Sequence, residues 1–195
     1  MKPTIAVATI LALASTGKAK QHQVTPTETV IVCMDKPPAV PMVQLTVSEI
    51  FARVGIAIAW RGAKCPEDGI RVSVQTATPG NLRPGALAYS MPYERVHICV
   101  FYDRIHLFGA AEEAGILAYV IVHEITHILQ GVATHSAEGV MKAEFTEDDR
   151  RRMARREPLE FTPLDLKLIR DGIAGRTRAL AGAGPNTKAA LSVAR

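Results

Sequence analysis

The stretch His123 to Met141 reads HEITHILQGVATHSAEGVM, and the function of the whole chain is approached from it. Helical residues four apart lie about 40° apart around the axis and about 6 Å apart along it, so His123 and His127 face the same way and can hold one ion together. Imidazoles suit Zn²⁺, and a catalytic zinc takes three protein ligands and leaves a fourth position to water. Gly131 should stop the helix, which makes His135 the natural third ligand; Glu138, Glu144 and Glu147 are the carboxylate alternatives. Glu124 lies beside the metal and can take a proton from its water. Zinc lowers the pKa of that water toward about 7 and polarises a carbonyl, so the pattern points to peptide-bond hydrolysis. The bland alternative is a helix with two ordinary histidines. Against it stand the apolar lead-in, a third His after a helix-stopping Gly, and Met141 closing the segment.

These residues resemble the motif of the metzincin zinc peptidases, HExxHxxGxxH followed by a Met-containing turn. His123, Glu124, His127, Gly131, His135, Ser136 and Met141 match it in order. Gly131 comes one position late and His135 two positions late, so the extra residues, within Gly131 to Thr134, must be absorbed in the loop, which tolerates them at small entropic cost. A nearer likeness, over most of the chain, is to exported bacterial proteins that share the longer spacing, the FYDR stretch (Phe101 to Arg104) and HSAEGVM.

The resemblance implies a zincin/metzincin-like α+β fold: a mixed twisted sheet of about five strands packed on two helices, then a small helical C-terminal region. It also implies a Zn²⁺ cofactor, a peptide or protein substrate, and an edge strand, here Ala86 to Met91, that pairs with extended substrate. Met141 would be a hydrophobic floor beneath the zinc, with generic core filler as the alternative. Some metzincins supply a Tyr beyond their Met turn; no Tyr follows Tyr119 here, leaving Tyr89 or an Arg to assist the zinc. The competing reading is a catalytically inactive exported zinc-binding or interaction protein. Glu124 discriminates, because a structural zinc would use four protein ligands and need no proton acceptor.

The chain has 195 residues, enough for one domain with a sizeable core. Its first stretch, MKPTIAVATILALASTGKAKQ, has a basic Lys2, an apolar run from Ile5 to Ala14 and small residues after it, the pattern of a secretory signal peptide. The expected organisation is a signal peptide over 1–19, a catalytic domain over 20–174 and a disordered basic tail over 175–195. Cleavage after Ala14 or after Ala19 fits equally. No other segment reaches the roughly 20 apolar residues of a membrane span, so the mature chain is expected to be secreted or periplasmic without a stable span. The net charge of +4 is accounted for by Arg176, Arg178, Lys188 and Arg195 in that tail, which argues against a nucleic-acid surface. Oligomeric state leaves no trace in the sequence. The three cysteines allow at most one internal disulfide; Cys33 to Cys65 is preferred, with Cys99 a buried thiol.

The spacing predicts strands at Thr27 to Met34, Ile56 to Trp60, Ile70 to Gln75, Ala86 to Ser90 and Val96 to Tyr102. Lys36 to Pro41 reads as a Pro-rich turn. A helix then buries Val43, Val47, Ile50, Phe51 and Val54 and stops at Gly55. The helix of the His motif should run from Ala110 to Gln130, burying Leu117, Ile121, Ile125 and Ile128 on one face and turning the histidines to a cleft. Thr146 with Asp149, and Thr162 with Asp165 at the third helical position, should cap two more helices, the second ending near Gly172. Arg150, Arg151, Arg152, Arg155 and Arg156 read as a solvated face.

Overall fold

The computed structural model describes residues 26–34, 40–62, 64–92, 94 and 96–182. The expected signal peptide, residues 36–39 of the Pro-rich turn and the end of the basic tail lie outside the described residues.

Five strands form one mixed sheet in the order β2-β1-β3-β5-β4. They are β1 (Glu28–Met34), β2 (Ile56–Arg61), β3 (Ile70–Gln75), β4 (Ala88–Ser90) and β5 (His97–Phe101). The first four in that order are parallel, and β4 closes the edge antiparallel to β5, with Ala88 opposite Val100 and Ser90 opposite Ile98. Parallel strands are buried on both faces and so read as continuous apolar runs. Val32 to Met34 and Ile98 to Phe101 are such runs, and every residue in them is buried.

Helix α1 (Val40–Ala52) connects β1 to β2 and buries Val43, Val47, Ile50 and Phe51 as its spacing predicts. Gly55 ends that connection with a φ of 81°. A five-residue helix, α2 (Tyr102–His106), takes over from β5 where the sequence suggested that the strand continues. Its Asp103 accepts hydrogen bonds from the Thr78 backbone N–H (3.0 Å) and hydroxyl (2.8 Å), which turns the chain off the sheet.

Helix α3 (Ala110–Gln130) has the predicted bounds, and its burial extends beyond the predicted stripe. Every residue from Ile116 to Gln130 is buried. The sheet and α1 cover one side, and α4 (Glu147–Ala154) and α5 (Pro163–Gly182) pack on it as well. Packing on several sides cannot be recognised from one apolar stripe.

Both predicted caps form. Thr146 and Asp149 make a capping box at α4, and Thr162 and Asp165 exchange the same pair of bonds at α5 (2.9 and 3.2 Å). Helix α5 continues past Gly172 to Gly182, so the expected stop is corrected: Gly172 serves close approach instead. A Cβ there would lie 1.9 Å from the Leu129 carbonyl oxygen of α3. The arginines of α4 and the turn after it are more engaged than a solvated face implies. Arg150 pairs with Glu112, Arg151 with Glu147, Arg155 with Glu157 and Arg156 with Glu49, while Arg152 donates to the Pro158 carbonyl. Cys33 and Cys65 form the preferred disulfide, with Cα atoms 5.7 Å apart, and Cys99 is a free buried thiol.

The α3–α5 contact yields a direct test. Gly172→Ala forces two backbones apart and is expected to cost about 1–3 kcal/mol of unfolding free energy, measured by urea denaturation against wild type; an unchanged midpoint would count against this packing.

Candidate metal centre

Helix α3 ends where the sequence said it must. Gly131 takes the left-handed conformation (φ 70°), and its N–H bonds the His127 carbonyl at 2.9 Å. The chain then reverses through residues 132–135 and returns His135 to the helix. The ligand atoms of His123, His127 and His135 all lie within 4.8 Å of one another, and this is the one such group among the described residues. The ring centroids stand 4.7 Å (His123–His127), 5.2 Å (His123–His135) and 5.0 Å (His127–His135) apart. The two extra loop residues have therefore been absorbed without displacing the third imidazole.

Backbone carbonyls orient two of the rings. His123 Nδ1 lies 3.0 Å from the Val140 oxygen and His127 Nδ1 3.0 Å from the Val132 oxygen. A carbonyl only accepts, so each Nδ1 carries the proton and each Nε2 presents a lone pair. Those two Nε2 atoms face each other at 3.0 Å. Two lone pairs in that position call for a cation between them, and three imidazoles beside an open cleft fit a four-coordinate ion such as Zn²⁺. Burial pushes the His123 imidazole down to about 4, reinforced by the neighbouring His127 and His135 and opposed by the Val140 hydrogen bond and the Asp165 charge. Burial lowers His127 too. The rings thus stay neutral, the state that binds metal.

Glu124 and His123 open onto a cleft of about 480 Å³, which His135 also lines. One wall is residues 83–88, the approach to β4 and its first residue; the other is Lys142 to Phe145 together with Arg150. Ile116 and Val120, on the same face of α3 as Glu124, extend an apolar floor, and the ring of Phe145 stands edge-on to His123 at 6.1 Å. Burial raises the Glu124 carboxyl to about 7, against a hydrogen bond from Ser90 of β4 that pulls it back. Glu144 also lines this cleft but pairs with Arg83 across it at 3.5 Å, Glu147 pairs with Arg151, and Glu138 is exposed.

The segment after His135 is pinned from two sides. Ser136 N–H bonds the Met141 carbonyl (2.8 Å), and Val140 N–H bonds the Glu160 carbonyl (3.0 Å). Gly139 makes the second contact possible. Its φ is 75°, and a Cβ would sit 2.1 Å from the Glu160 oxygen. Met141 is wholly buried in the core. Tyr89, considered for the oxyanion, does not line the cleft and packs at a tilt on Phe101 at 5.9 Å; the Tyr119 hydroxyl accepts from Leu159 N–H at 3.0 Å. Sequence reasoning missed Ser90 as the Glu124 partner and Asp165 as the partner of Ser136 (2.7 Å). Strand register decides the first, and no local pattern encodes it. The second carried a partial signal, since Asp165 was visible as a capping residue.

No protein-family model matches the chain, and no curated protein matches it. The nearer likeness to exported bacterial proteins has no counterpart in these comparisons and rests on the sequence motifs alone. Among solved structures, the chain is similar to the crystal structure of archaemetzincin from Methanopyrus kandleri, at 12% identity over 80% of this chain and 99% of that one, with a TM-score of 0.50. It is also similar to archaemetzincin from Archaeoglobus fulgidus, at 13% identity over 73% of this chain and 99% of that one, with a TM-score of 0.48. At such identity the first likeness speaks for the fold, and the five-stranded mixed sheet with its buried histidine-bearing helix is a zincin-like α+β fold.

Proposed function

We propose that this chain is an exported zinc-dependent metallopeptidase that hydrolyses peptide bonds. The observation that carries the reading is the convergence of His123, His127 and His135 beside Glu124 in a cleft bordered by an edge strand. In this reading the three histidines are the metal ligands, those of His123 and His127 through Nε2. A bound zinc supplies a lowered pKa for water and polarisation of the scissile carbonyl.

The protein's own groups do the rest. The Glu124 carboxylate takes the proton of the attacking water and passes it to the leaving amine, and burial has brought its pKa near the operating range of a general base. Ser90 holds that carboxylate by a hydrogen bond from the edge strand. Strand β4 pairs with β5 on one side only, so its other side offers N–H and C=O groups to an extended peptide. That geometry supports a peptide or protein substrate. Met141, wholly buried, is read as the hydrophobic floor of the site, and its carbonyl accepts from the N–H of Ser136, next to His135. The Cys33–Cys65 disulfide supports export, since such bonds persist in oxidising compartments.

A catalytically inactive zinc-binding protein is the second reading, favoured by one observation: no tyrosine lines the cleft among the described residues. Two measurements decide. Elemental analysis of the purified mature chain is expected to find about one zinc per wild-type molecule and much weaker retention in His135→Ala; a wild type without zinc after reconstitution would sink the metal centre. Glu124→Ala should keep its zinc and lose about 100-fold or more of any peptide hydrolysis found in a broad peptide-library screen, the range from the lower end upward of what a positioned base contributes. Equal turnover in both proteins would defeat the enzyme reading.

A further inference from the structure

Two acids occupy the same place in two capping boxes, and the structure treats them differently. Asp149 at α4 is buried (8% exposed), accepts from the Thr146 backbone N–H and hydroxyl, and has a cation, Lys142, as a further partner. Asp165 at α5 is more deeply buried (3% exposed) and accepts the same two bonds from Thr162 through Oδ2. No ion pair reaches it among the described residues. Its Oδ1 accepts instead from the Ser136 hydroxyl at 2.7 Å, and Ser136 is the residue next to His135. Its backbone carbonyl receives Gln130 Nε2 of α3 at 3.4 Å, fixing the start of α5 against the end of the histidine helix.

A buried carboxylate without a cation is costly unless something positive is placed near it. The cap bonds from Thr162 and the N-terminus of α5 offset part of that charge, but neither supplies a counter-ion. The nearby group that changes charge on loading is the histidine cluster: three imidazoles would hold a divalent ion with no negative ligand among them.

We propose that Asp165 is a positioning residue of the metal centre, which through Ser136 holds the loop carrying His135 and whose buried negative charge complements a divalent cation on the three histidines. The inference rests on the metal reading above and extends it to residues outside the ligand set. The groups that orient metal ligands typically contribute 10- to 100-fold to metal affinity.

The test is zinc affinity, read by competition with a chromophoric chelator on the mature chain, with far-UV circular dichroism to establish folding. Asp165→Asn and Ser136→Ala are each expected to raise the zinc Kd by about 10- to 100-fold, the double variant no more than Asp165→Asn. Ser136→Thr, which keeps the hydroxyl, should restore tight binding. Thr162→Ala separates capping from metal positioning: it removes a cap bond of the same carboxylate and should lower the unfolding midpoint with zinc Kd unchanged. Should Asp165→Asn fail to fold, Ser136→Ala and its Thr rescue decide the matter alone. Tight zinc in wild type with unchanged Kd in Ser136→Ala and in any folded Asp165→Asn overturns this inference and leaves the metal centre standing. A wild type that takes up no zinc overturns both.

Discussion

The constraint on which the structure depends is the burial of α3 from Ile116 to Gln130. A helix exposed on one face can leave its polar side chains to water. One buried from Ile116 to Gln130 must satisfy each of them from within the protein, because an unpaired buried donor or acceptor costs about 1–3 kcal/mol. Tyr119 is met by Leu159, His123 by Val140, Thr126 by Val122, His127 by Val132 and Gln130 by Asp165. Glu124 is met by Ser90. Apart from the facing Nε2 atoms of His123 and His127, no buried side-chain nitrogen or oxygen among the described residues lacks a partner.

Most of these partners come from the chain after α3. The 132–142 segment supplies carbonyls to both helical histidines, and residues 157–165 supply partners to Tyr119 and Gln130. The later segment also clamps the earlier one, through the Val140–Glu160 backbone bond and the Ser136–Asp165 side-chain bond. The modest C-terminal region thus does more than cover the core. It fixes the rotation of imidazoles that the helix merely presents.

The elements were largely legible in the sequence. Strand β3 and helix α3 fall at their predicted bounds, and the Thr146 and Thr162 caps form with the residues that identified them. The disulfide partners were legible as well, although Cys99 offered competing pairings. What failed did so for tertiary reasons. Gly172 has the composition of a helix stop, yet α5 continues because glycine there admits the Leu129 carbonyl. Burial reaches past the predicted stripe to the whole of Ile116 to Gln130 because α4 and α5 pack on α3 as well, a fact that no periodicity within α3 records.

The sequence by itself determined the residue types and local geometry of the candidate site: two histidines one turn apart with a carboxylate beside the first, a glycine to end the helix, and a third histidine within reach. These follow from helix periodicity and backbone sterics, which act over a few residues. Only the tertiary structure decided that the longer loop still delivers His135, that Ser90 faces Glu124, and that Asp165 lies against Ser136. Each of those depends on how separate elements pack, through strand register, helix crossing and the close approach of Gly139 to Glu160. Such contacts join residues tens of positions apart, and their energies come from burial and hydrogen-bond satisfaction that exist only once the core has closed around α3.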